Sequence, residues 1–144
     1  MSYIYKRKAQ YHETDQMKVI HHSNYFRWLE EARVEFLKDL GTPYKEFEER
    51  GIISPIIDVS AKYIKPITFE DTAYIYMDIT KYNVVKLSIE YHITNQNDEL
   101  CVYATTTSCF VKDNQVCSLK RCEKEFDEKF RKYIENEEGN SFKK

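Results

Sequence analysis

Hydrophobic residues recur at helical spacing in one long stretch near the start of the chain. Between positions 25 and 40 they lie three or four residues apart, which is the spacing of one face of an α-helix. The members of this set are Tyr25, Trp28, Leu29, Ala32, Phe36 and Leu40. Ser23 or Asn24 can cap the beginning of this helix, and Gly41 fits the left-handed residue that ends many helices. The pattern therefore predicts a long amphipathic helix with one buried face.

Most of the remaining chain alternates between hydrophobic and polar residues, which is the period of a strand with one buried face. The predicted strands cover residues 3–11, 52–64, 72–82, 85–93, 100–112 and 115–120. Short turns such as Asp113-Asn114 separate several of them, which indicates antiparallel pairing of neighbours along the chain. A short helix is predicted over residues 42–49, and Phe126 and Phe130 belong to a closing amphipathic helix.

The order of these elements is one strand, one long helix and then a meander of about four or five strands. We predict an α+β fold in which the helix packs on one face of an antiparallel sheet. Because no linker, repeat or low-complexity stretch interrupts the chain, residues 1–144 are predicted to form a single domain. Residues 136–144 are expected to be a frayed tail.

The bulk composition narrows the class of protein. The 144 residues suffice for one domain, and 42% of them are hydrophobic, which is enough for a buried core. A net charge of −2, with basic residues scattered singly, gives no electrostatic reason to expect a nucleic acid partner. No apolar run approaches the ~20 residues of a membrane span, and residues 1–8 lack the apolar run of a signal peptide. We expect a cytoplasmic protein without a membrane span.

The cysteines and histidines give no pattern typical of a metal site. None of the four cysteines is spaced as in a zinc knuckle or a redox motif, so we interpret them as small apolar packing residues in a reducing compartment. His21 and His22 are adjacent, and neighbouring side chains at a helix start point about 100° apart, which makes a poor chelate. No metal is expected. The twelve tyrosines favour extensive sheet and a contact between subunits.

A carboxylate and a helix start lie close together between the first strand and the long helix. Asp15 lies in the loop, and His22 lies where the helix begins. A carboxylate near free helix N–H groups can act on an acyl carbonyl whose oxygen those groups stabilise, which favours acyl transfer to water. From its position alone, Asp15 fits a solvated turn equally well. Glu13, two residues earlier, is interpreted as structural or as a local modulator.

Three segments together resemble the signature of the hotdog-fold acyl-CoA thioesterases of the 4-hydroxybenzoyl-CoA thioesterase type. They are residues 11–15 (YHETD), 21–25 (HHSNY) and 30–33 (EEAR), with a looser likeness at residues 62–66 (KYIKP). The resemblance implies a sheet wrapped around a central helix and the hydrolysis of acyl-CoA to a free acid and CoA. It also implies no metal or redox cofactor, because CoA enters only as part of the substrate, and a homodimer or homotetramer with its site between subunits.

The resemblance also implies roles for single residues. Asp15 matches the motif aspartate, which acts as nucleophile or as general base on water. His22 matches the residue at the helix start whose backbone N–H polarises the thioester carbonyl. Tyr11 matches a tyrosine that contacts the substrate or positions the aspartate, although packing in a strand is an equal interpretation.

Other matching residues are assigned to the substrate or to the scaffold. Asn24 and Tyr25 match the Asn-Tyr of the signature and are taken as substrate-binding, although a cap and the first residue of the buried face are the simplest interpretations. Glu30 and Arg33 match a pair on the helix, which we expect to be a solvated or interface ion pair rather than catalytic.

One residue departs from the family pattern. Lys18 lies three residues after Asp15, where the family usually has glycine, and a backbone that needs positive φ would be strained by lysine. Lys18 either changes the loop or meets a phosphate of the coenzyme, and we count it among the substrate-binding residues. Two other functions stay open, namely a non-catalytic acyl-CoA-binding or regulatory module and a thioesterase that acts on acyl carrier protein.

Overall fold

A 19-residue helix, α1, lies against a five-stranded antiparallel sheet in the computed structural model. The structure describes the backbone of residues 3–142 and the side chains of residues 3–136. The strands are β1 (Tyr3–Lys8), β2 (Ile52–Ile53), β3 (Ile56–Tyr63), β4 (Thr72–Tyr82), β5 (Lys86–Thr94), β6 (Leu100–Cys109), β7 (Val111–Lys112) and β8 (Gln115–Val116). The helices are α1 (His22–Leu40), α2 (Tyr44–Glu49), α3 (Leu119–Cys122) and α4 (Lys124–Phe142). This arrangement confirms the predicted α+β class.

The strand order of the large sheet is β1-β4-β5-β6-β3, and every neighbouring pair is antiparallel. The predicted meander is therefore right for β4, β5 and β6 and wrong for β3. That strand pairs with β6 at the far edge, where Ala61 lies opposite Ala104. The short strands β2, β7 and β8 form a second sheet of three strands.

The predicted face of α1 is buried against the large sheet. Trp28 and Ala32 are fully buried and Phe36 is almost so, which confirms the helical spacing read from the sequence. Opposite them lie the inward side chains of the central strands. These are Ala73, Ile75 and Met77 from β4, Leu87, Ile89, Tyr91 and Ile93 from β5, and Val102 and Ala104 from β6. Burying a large apolar side chain contributes roughly 1.5–3 kcal/mol, so this layer supplies much of the driving force for folding.

The two ends of α1 are set by different residues. At the start the cap is His21, whose Nδ1 accepts a hydrogen bond from the Ser23 backbone N–H at 3.2 Å. The prediction that Ser23 or Asn24 is the cap was therefore wrong, because the helix begins two or three residues earlier than that cap requires. At the other end Gly41 has φ +98° and its N–H bonds the carbonyl of Lys38, which confirms the predicted left-handed stop.

Three predicted strands end earlier than their alternation suggested. The first, predicted over residues 3–11, ends at Lys8, and a short 3₁₀ turn (Tyr11–Glu13) follows, so Tyr11 is not a strand residue. The stretch 100–112 is divided at Phe110, which is buried and stacks at 6.1 Å on Phe47. The chain therefore leaves the large sheet at Cys109 and enters the small one at Val111. The turn at Asp113-Asn114 is confirmed, since both residues have φ near +60°. After it, residues 115–120 form only the two-residue β8 before α3 begins.

The closing helix is present as predicted, with Phe126 and Phe130 fully buried. The ring of Phe126 lies 4.4 Å from that of Phe47 on α2, so α4 covers the end of the core that α1 leaves open. The backbone of residues 136–142, predicted as a tail, is helical, and residues 143–144 lie outside the described part.

Candidate active site

A small hairpin connects β1 to α1 and carries Asp15. Thr14 pairs with Ile20, the Asp15 N–H donates to the Val19 carbonyl at 2.9 Å, and the Lys18 N–H donates back to the Asp15 carbonyl at 3.0 Å. A second set of bonds fixes this hairpin to the segment before β4, where the Ile20 N–H donates to the Ile67 carbonyl at 2.8 Å. The loop predicted between the first strand and the helix is thus a hydrogen-bonded structure rather than an open coil.

Asp15 is half-buried, and its two carboxylate oxygens differ in their hydrogen bonding. Its Oδ1 accepts a hydrogen bond from the Met17 backbone N–H at 2.8 Å. Within residues 3–136, no hydrogen bond to the other oxygen, Oδ2, is found. The structure therefore holds this side chain by one oxygen and leaves the second free to accept a proton or to attack an acyl carbon.

The same hairpin leads directly into the start of α1. Asp15 faces Val19, Thr14 faces Ile20, and the His21 N–H donates to the Glu13 carbonyl at 2.9 Å. Along the hairpin, Asp15 therefore lies two residue pairs away from the Glu13–His21 pair, where the chain enters α1. His22 is the first helical residue, as the resemblance implied.

The backbone N–H of His22 is a free donor. It makes no hydrogen bond in the described part of the chain, as expected for the first turn of a helix. The next N–H, that of Ser23, is occupied by the His21 cap. The helix start thus presents a partial positive charge and an unused donor, which is suited to a carbonyl oxygen that becomes negative.

Aromatic side chains surround this helix start. The His22 ring is exposed, stacks on the His21 ring at 4.2 Å and lies 6.4 Å from the ring of Tyr63 at the end of β3. Tyr63 also contacts Tyr25, with ring centroids 5.5 Å apart. The sequence did not mark Tyr63 as a site residue, because only the pairing of β3 at the sheet edge brings it here.

The Glu13 carboxylate holds the hairpin in place, which supports the interpretation of Glu13 as a structural residue. Its carboxylate is 6% exposed and accepts hydrogen bonds from Arg7 Nη1 at 2.6 Å, from Trp28 Nε1 at 2.7 Å and from the Gln10 N–H at 2.9 Å. The Arg7 guanidinium also lies 4.7 Å from the centre of the Trp28 ring. Both carboxylate oxygens are therefore occupied, and Glu13 fastens the hairpin to β1 and α1.

The predicted substrate residues Asn24 and Tyr25 are both buried. Asn24 does not cap the helix, and its side-chain amide donates instead to the Glu13 carbonyl at 2.8 Å. Tyr25 packs edge-on against Trp28, and burial raises the pKa of its hydroxyl to about 12 despite a hydrogen bond with the Ile67 backbone. Both residues hold neighbouring segments to the start of α1, and direct contact with a substrate stays a prediction.

Tyr11 and Lys18 are the exposed members of the predicted set. Tyr11 is 74% exposed, and its ring packs edge-on against Phe69, while no described hydrogen bond joins it to Asp15. Lys18 has φ +65°, which confirms that this position needs the backbone conformation that glycine adopts most easily. Its side chain lies in solvent, three residues from Asp15. The substrate roles of both residues stay predictions.

Glu30 and Arg33 form the ion pair expected from their spacing on the helix, but the two side chains differ in exposure. The Arg33 side chain is 2% exposed, whereas that of Glu30 is 54% exposed, and Nη1 lies 3.3 Å from the Glu30 carboxylate. The second terminal nitrogen, Nη2, donates to the Ser54 carbonyl at 2.8 Å. Arg33 therefore ties α1 to the segment that precedes β3, and its burial is not visible in the sequence because helical spacing does not show what covers a helix.

A cavity of about 170 Å³ lies between α1 and the edge of the sheet. Its lining residues are Phe26, Leu29, Glu30, Ile56, Val59, Tyr91 and Thr106. Most of this lining is apolar, and the Tyr91 hydroxyl and the Thr106 hydroxyl share a hydrogen bond of 2.9 Å within it. An apolar cavity of about 150 Å³ is known to hold one benzene molecule, so the size suits a compact apolar group.

The described residues lack two other features. They contain no group of three or more histidine, cysteine and acidic side chains placed to bind a metal ion. Nor does any of their helices have the length and apolar character to cross a membrane.

Comparison with known sequences places residues 9–130 in the thioesterase-like superfamily. One relative is the "Putative acyl-CoA thioesterase YneP" of Bacillus subtilis (strain 168), which is 39% identical over 100 residues. That alignment covers 69% of this chain and 72% of the relative.

Solved structures of similar proteins share the same arrangement of sheet and helix. The DHNA-CoA thioesterase from Staphylococcus aureus is 32% identical, with a TM-score of 0.89 over 96% of this chain and 95% of that one. A 4-hydroxybenzoyl-CoA thioesterase mutant in complex with 4-hydroxybenzoyl-CoA is 18% identical, with a TM-score of 0.72 over 79% of this chain and 86% of that one. At that identity, the second likeness shows the fold alone.

Replacing Glu13 with glutamine tests its structural role. Glutamine has one acceptor oxygen and no charge, so the largely buried Arg7 loses its closest counterion and the Trp28 N–H or the Gln10 N–H loses its acceptor. We expect Glu13→Gln to lower the free energy of unfolding by about 2–4 kcal/mol, measured by urea denaturation. Glu31→Gln is the matched control, because Glu31 lies 3.5 Å from the same Arg7 nitrogen but is 43% exposed. Equal losses in the two variants would contradict the role given to Glu13.

Replacing Lys18 with glycine tests the strain in the hairpin. A non-glycine residue in the left-handed region is disfavoured by roughly 1–2 kcal/mol, while glycine loses about 0.5–1 kcal/mol more backbone entropy on folding. We therefore expect Lys18→Gly to raise the free energy of unfolding by about 0.5–1 kcal/mol. Lys18→Ala keeps the strain and removes the charge, so its stability should stay within ~0.5 kcal/mol of the parent. A less stable glycine variant would show that the lysine side chain stabilises the loop.

Proposed function

Because the chain belongs to the thioesterase-like superfamily and has its hotdog fold, we propose that it hydrolyses acyl-CoA thioesters to a free acid and CoA. The resemblance found in the sequence is thereby confirmed at the level of the family. The proposal rests on one arrangement. The hairpin that carries Asp15, with one carboxylate oxygen free, leads directly to the start of α1, where the His22 N–H is an unused donor.

The thioester carbonyl oxygen lies against the start of α1 in the proposed complex. The His22 N–H and the positive end of the helix stabilise the negative charge that develops on this oxygen, an effect worth about 3 kcal/mol per donor in other enzymes. As the tetrahedral species collapses, the carbon–sulfur bond breaks and CoA leaves as a thiolate, which then takes up a proton.

Asp15 supplies the attacking group in one of two ways. As general base, its free oxygen takes a proton from water while the water oxygen bonds to the acyl carbon. As nucleophile, that oxygen bonds the acyl carbon itself, and water then cleaves the resulting anhydride. Both routes consume one water and release the same acid and thiol. CoA takes part only as a portion of the substrate, so no resident cofactor is required.

The acyl group of the substrate is compact in this proposal. The cavity beside α1 has about 170 Å³ and an apolar lining with one internal hydroxyl pair, which suits a single ring or a short chain. Tyr11 and Lys18, both exposed near Asp15, remain available for the polar part of CoA.

The functional unit is a homodimer in this proposal, alone or paired as a tetramer. The edge strand β3 offers unpaired backbone groups along its whole length, and its side chains are exposed on both faces. Ile56, Ile57, Val59 and Ile64 are each at least 37% exposed, which is unusual for neighbouring apolar residues. A second copy paired along β3 would cover them. Tyr63 and the cavity lie at the same edge, so the site would be completed at the subunit contact.

A cytoplasmic location completes the proposal. All four cysteines are free, including two with Sγ atoms in contact, which agrees with a reducing compartment.

The first test is turnover by Asp15→Asn. Asparagine keeps the Oδ1 acceptor for the Met17 N–H, so the hairpin is expected to fold, but it can neither take a proton nor attack. We expect kcat to fall by about 10²–10⁴-fold, measured as thiol released from short-, medium-, long-chain and aromatic acyl-CoAs. CoA binding, followed by calorimetry, should be unchanged.

Asp113→Asn is the matched control for this test, because Asp113 is also a turn aspartate, lies outside the proposed site, and its variant should turn over normally. Turnover that survives in Asp15→Asn would mean that a different carboxylate acts. A wild-type protein that binds acyl-CoA without turnover would identify a binding or regulatory module. Activity confined to acyl carrier protein thioesters would replace CoA with that carrier.

The second test concerns the subunit contact. A lysine in an edge strand opposes pairing with another strand. We expect the wild type to sediment as a dimer or tetramer and Ile57→Lys to shift towards monomer with a loss of turnover. Ile4→Lys on β1, the other edge, is the control, since Ile4 is 49% exposed and Ile57 51% exposed. A monomeric wild type at micromolar concentration would contradict the proposed dimer.

A further inference from the structure

Two cysteine side chains meet away from the candidate active site. Cys117 follows β8, Cys122 is the last residue of α3, and their Sγ atoms are 3.0 Å apart. Both side chains are half-buried and pack against the edge of the hydrophobic core. Neither residue has a part in the proposed hydrolysis.

The backbone fixes both residues from several directions. The Cys117 N–H donates to the Phe110 carbonyl at 2.8 Å, and the Cys122 N–H donates to the Ser118 carbonyl at 2.9 Å. Between them, the Leu119 N–H donates to the Val84 carbonyl at 2.9 Å, which anchors the turn to the connection between β4 and β5. The two thiols are thus held face to face by the fold itself. An S–S bond is about 2.04 Å long, so bond formation requires the sulfurs to approach by only about 1 Å.

We propose that Cys117 and Cys122 form a reversible intramolecular disulfide by exchange with a low-molecular-weight disulfide. In the first step the Cys122 thiolate attacks one sulfur of the oxidant, which releases one thiol and leaves a mixed disulfide on Cys122. In the second step Cys117 loses its proton and attacks the Cys122 sulfur, which releases the second thiol. The protein thiols lose two electrons and two protons in total, and one small disulfide becomes two small thiols.

The environment of Cys117 sets the order of these steps. Burial and the adjacent Cys122 thiol raise the pKa of the Cys117 thiol to about 12, so it is a poor first attacking group. Once the mixed disulfide has formed, the Cys117 sulfur lies next to the Cys122 sulfur that it attacks, and this proximity compensates for the raised pKa of Cys117.

The disulfide would connect the small sheet to the closing helix. Cys117 follows the β7–β8 hairpin, and Cys122 is separated from the start of α4 by Glu123 alone. Phe126 in the first turns of α4 packs against Phe47. A bond between the two sulfurs removes conformations from the unfolded chain and so stabilises this end of the molecule.

Trypsin mapping of the full chain tests the proposal directly. Trypsin cuts after Lys120 and Arg121, between the two cysteines, so a Cys117–Cys122 bond joins the peptides 113–120 and 122–124. Cys101 and Cys109 share the peptide 87–112, which makes any other pairing distinguishable by mass. After equilibration with graded ratios of reduced and oxidised glutathione, we expect the linked pair in most molecules at oxidising ratios and its loss with dithiothreitol.

Thermal unfolding provides the second readout. Oxidised wild type should unfold several degrees above the reduced form, and Cys117→Ser and Cys122→Ser should each lose this difference. Cys109→Ala, the control, should retain both the linked peptides and the shift. The proposal is overturned if oxidised glutathione leaves both cysteines as thiols, adds glutathione to each without linking them, or links either of them to the peptide 87–112. Because peptide mapping uses the wild type, the test does not depend on how the variants fold, and it is independent of thioester hydrolysis.

Discussion

The buried carboxylate of Glu13 is the interaction on which the candidate site depends. It gathers a guanidinium from β1, an indole N–H from α1 and a backbone N–H from the turn between them. A buried carboxylate needs hydrogen-bond donors from the protein for both of its oxygens. The partners of Glu13 therefore fix the hairpin as firmly as apolar packing would. The same loop carries a second carboxylate, that of Asp15, which has one free oxygen. Glu13 accepts the hydrogen bonds of the buried donors, which leaves one Asp15 oxygen able to react in the proposed hydrolysis.

The start of α1 shows a similar division between scaffold and function. His21 closes the cap by accepting from the Ser23 N–H, and Asn24 turns its side chain back to the Glu13 carbonyl. Both contacts secure the first turn without using the His22 N–H. An oxyanion site requires a donor that is held in place before the substrate arrives, because reorganisation during the reaction would reduce its stabilising effect. The hairpin and the cap would meet this requirement together in the proposed complex.

Local patterns in the sequence predicted the helices and strands that are determined by residues close together in the chain. The spacing of Trp28, Ala32 and Phe36 identifies α1, and the alternation in β4 and β5 identifies the central strands, because each pattern reflects one buried face. The positions of Asp15 and His22 follow from the order of strand, loop and helix. By contrast, the edge position of β3 and the burial of Arg33 arise from pairing between distant segments, which periodicity cannot show.

The interactions around β3 are incomplete within one chain. Arg33 fixes the approach to this strand through the Ser54 carbonyl, yet its Nε is buried without a hydrogen-bond partner among the described atoms. An unsatisfied buried donor costs about 1–3 kcal/mol, and the exposed apolar side chains of β3 add unfavourable hydration. The opposite edge strand, β1, instead alternates between half-buried and exposed residues and packs its inner face against α1. The unpartnered Arg33 Nε and the exposed apolar side chains therefore belong to the same edge as Tyr63 and the cavity, so a second copy that covers this edge would also complete the proposed site.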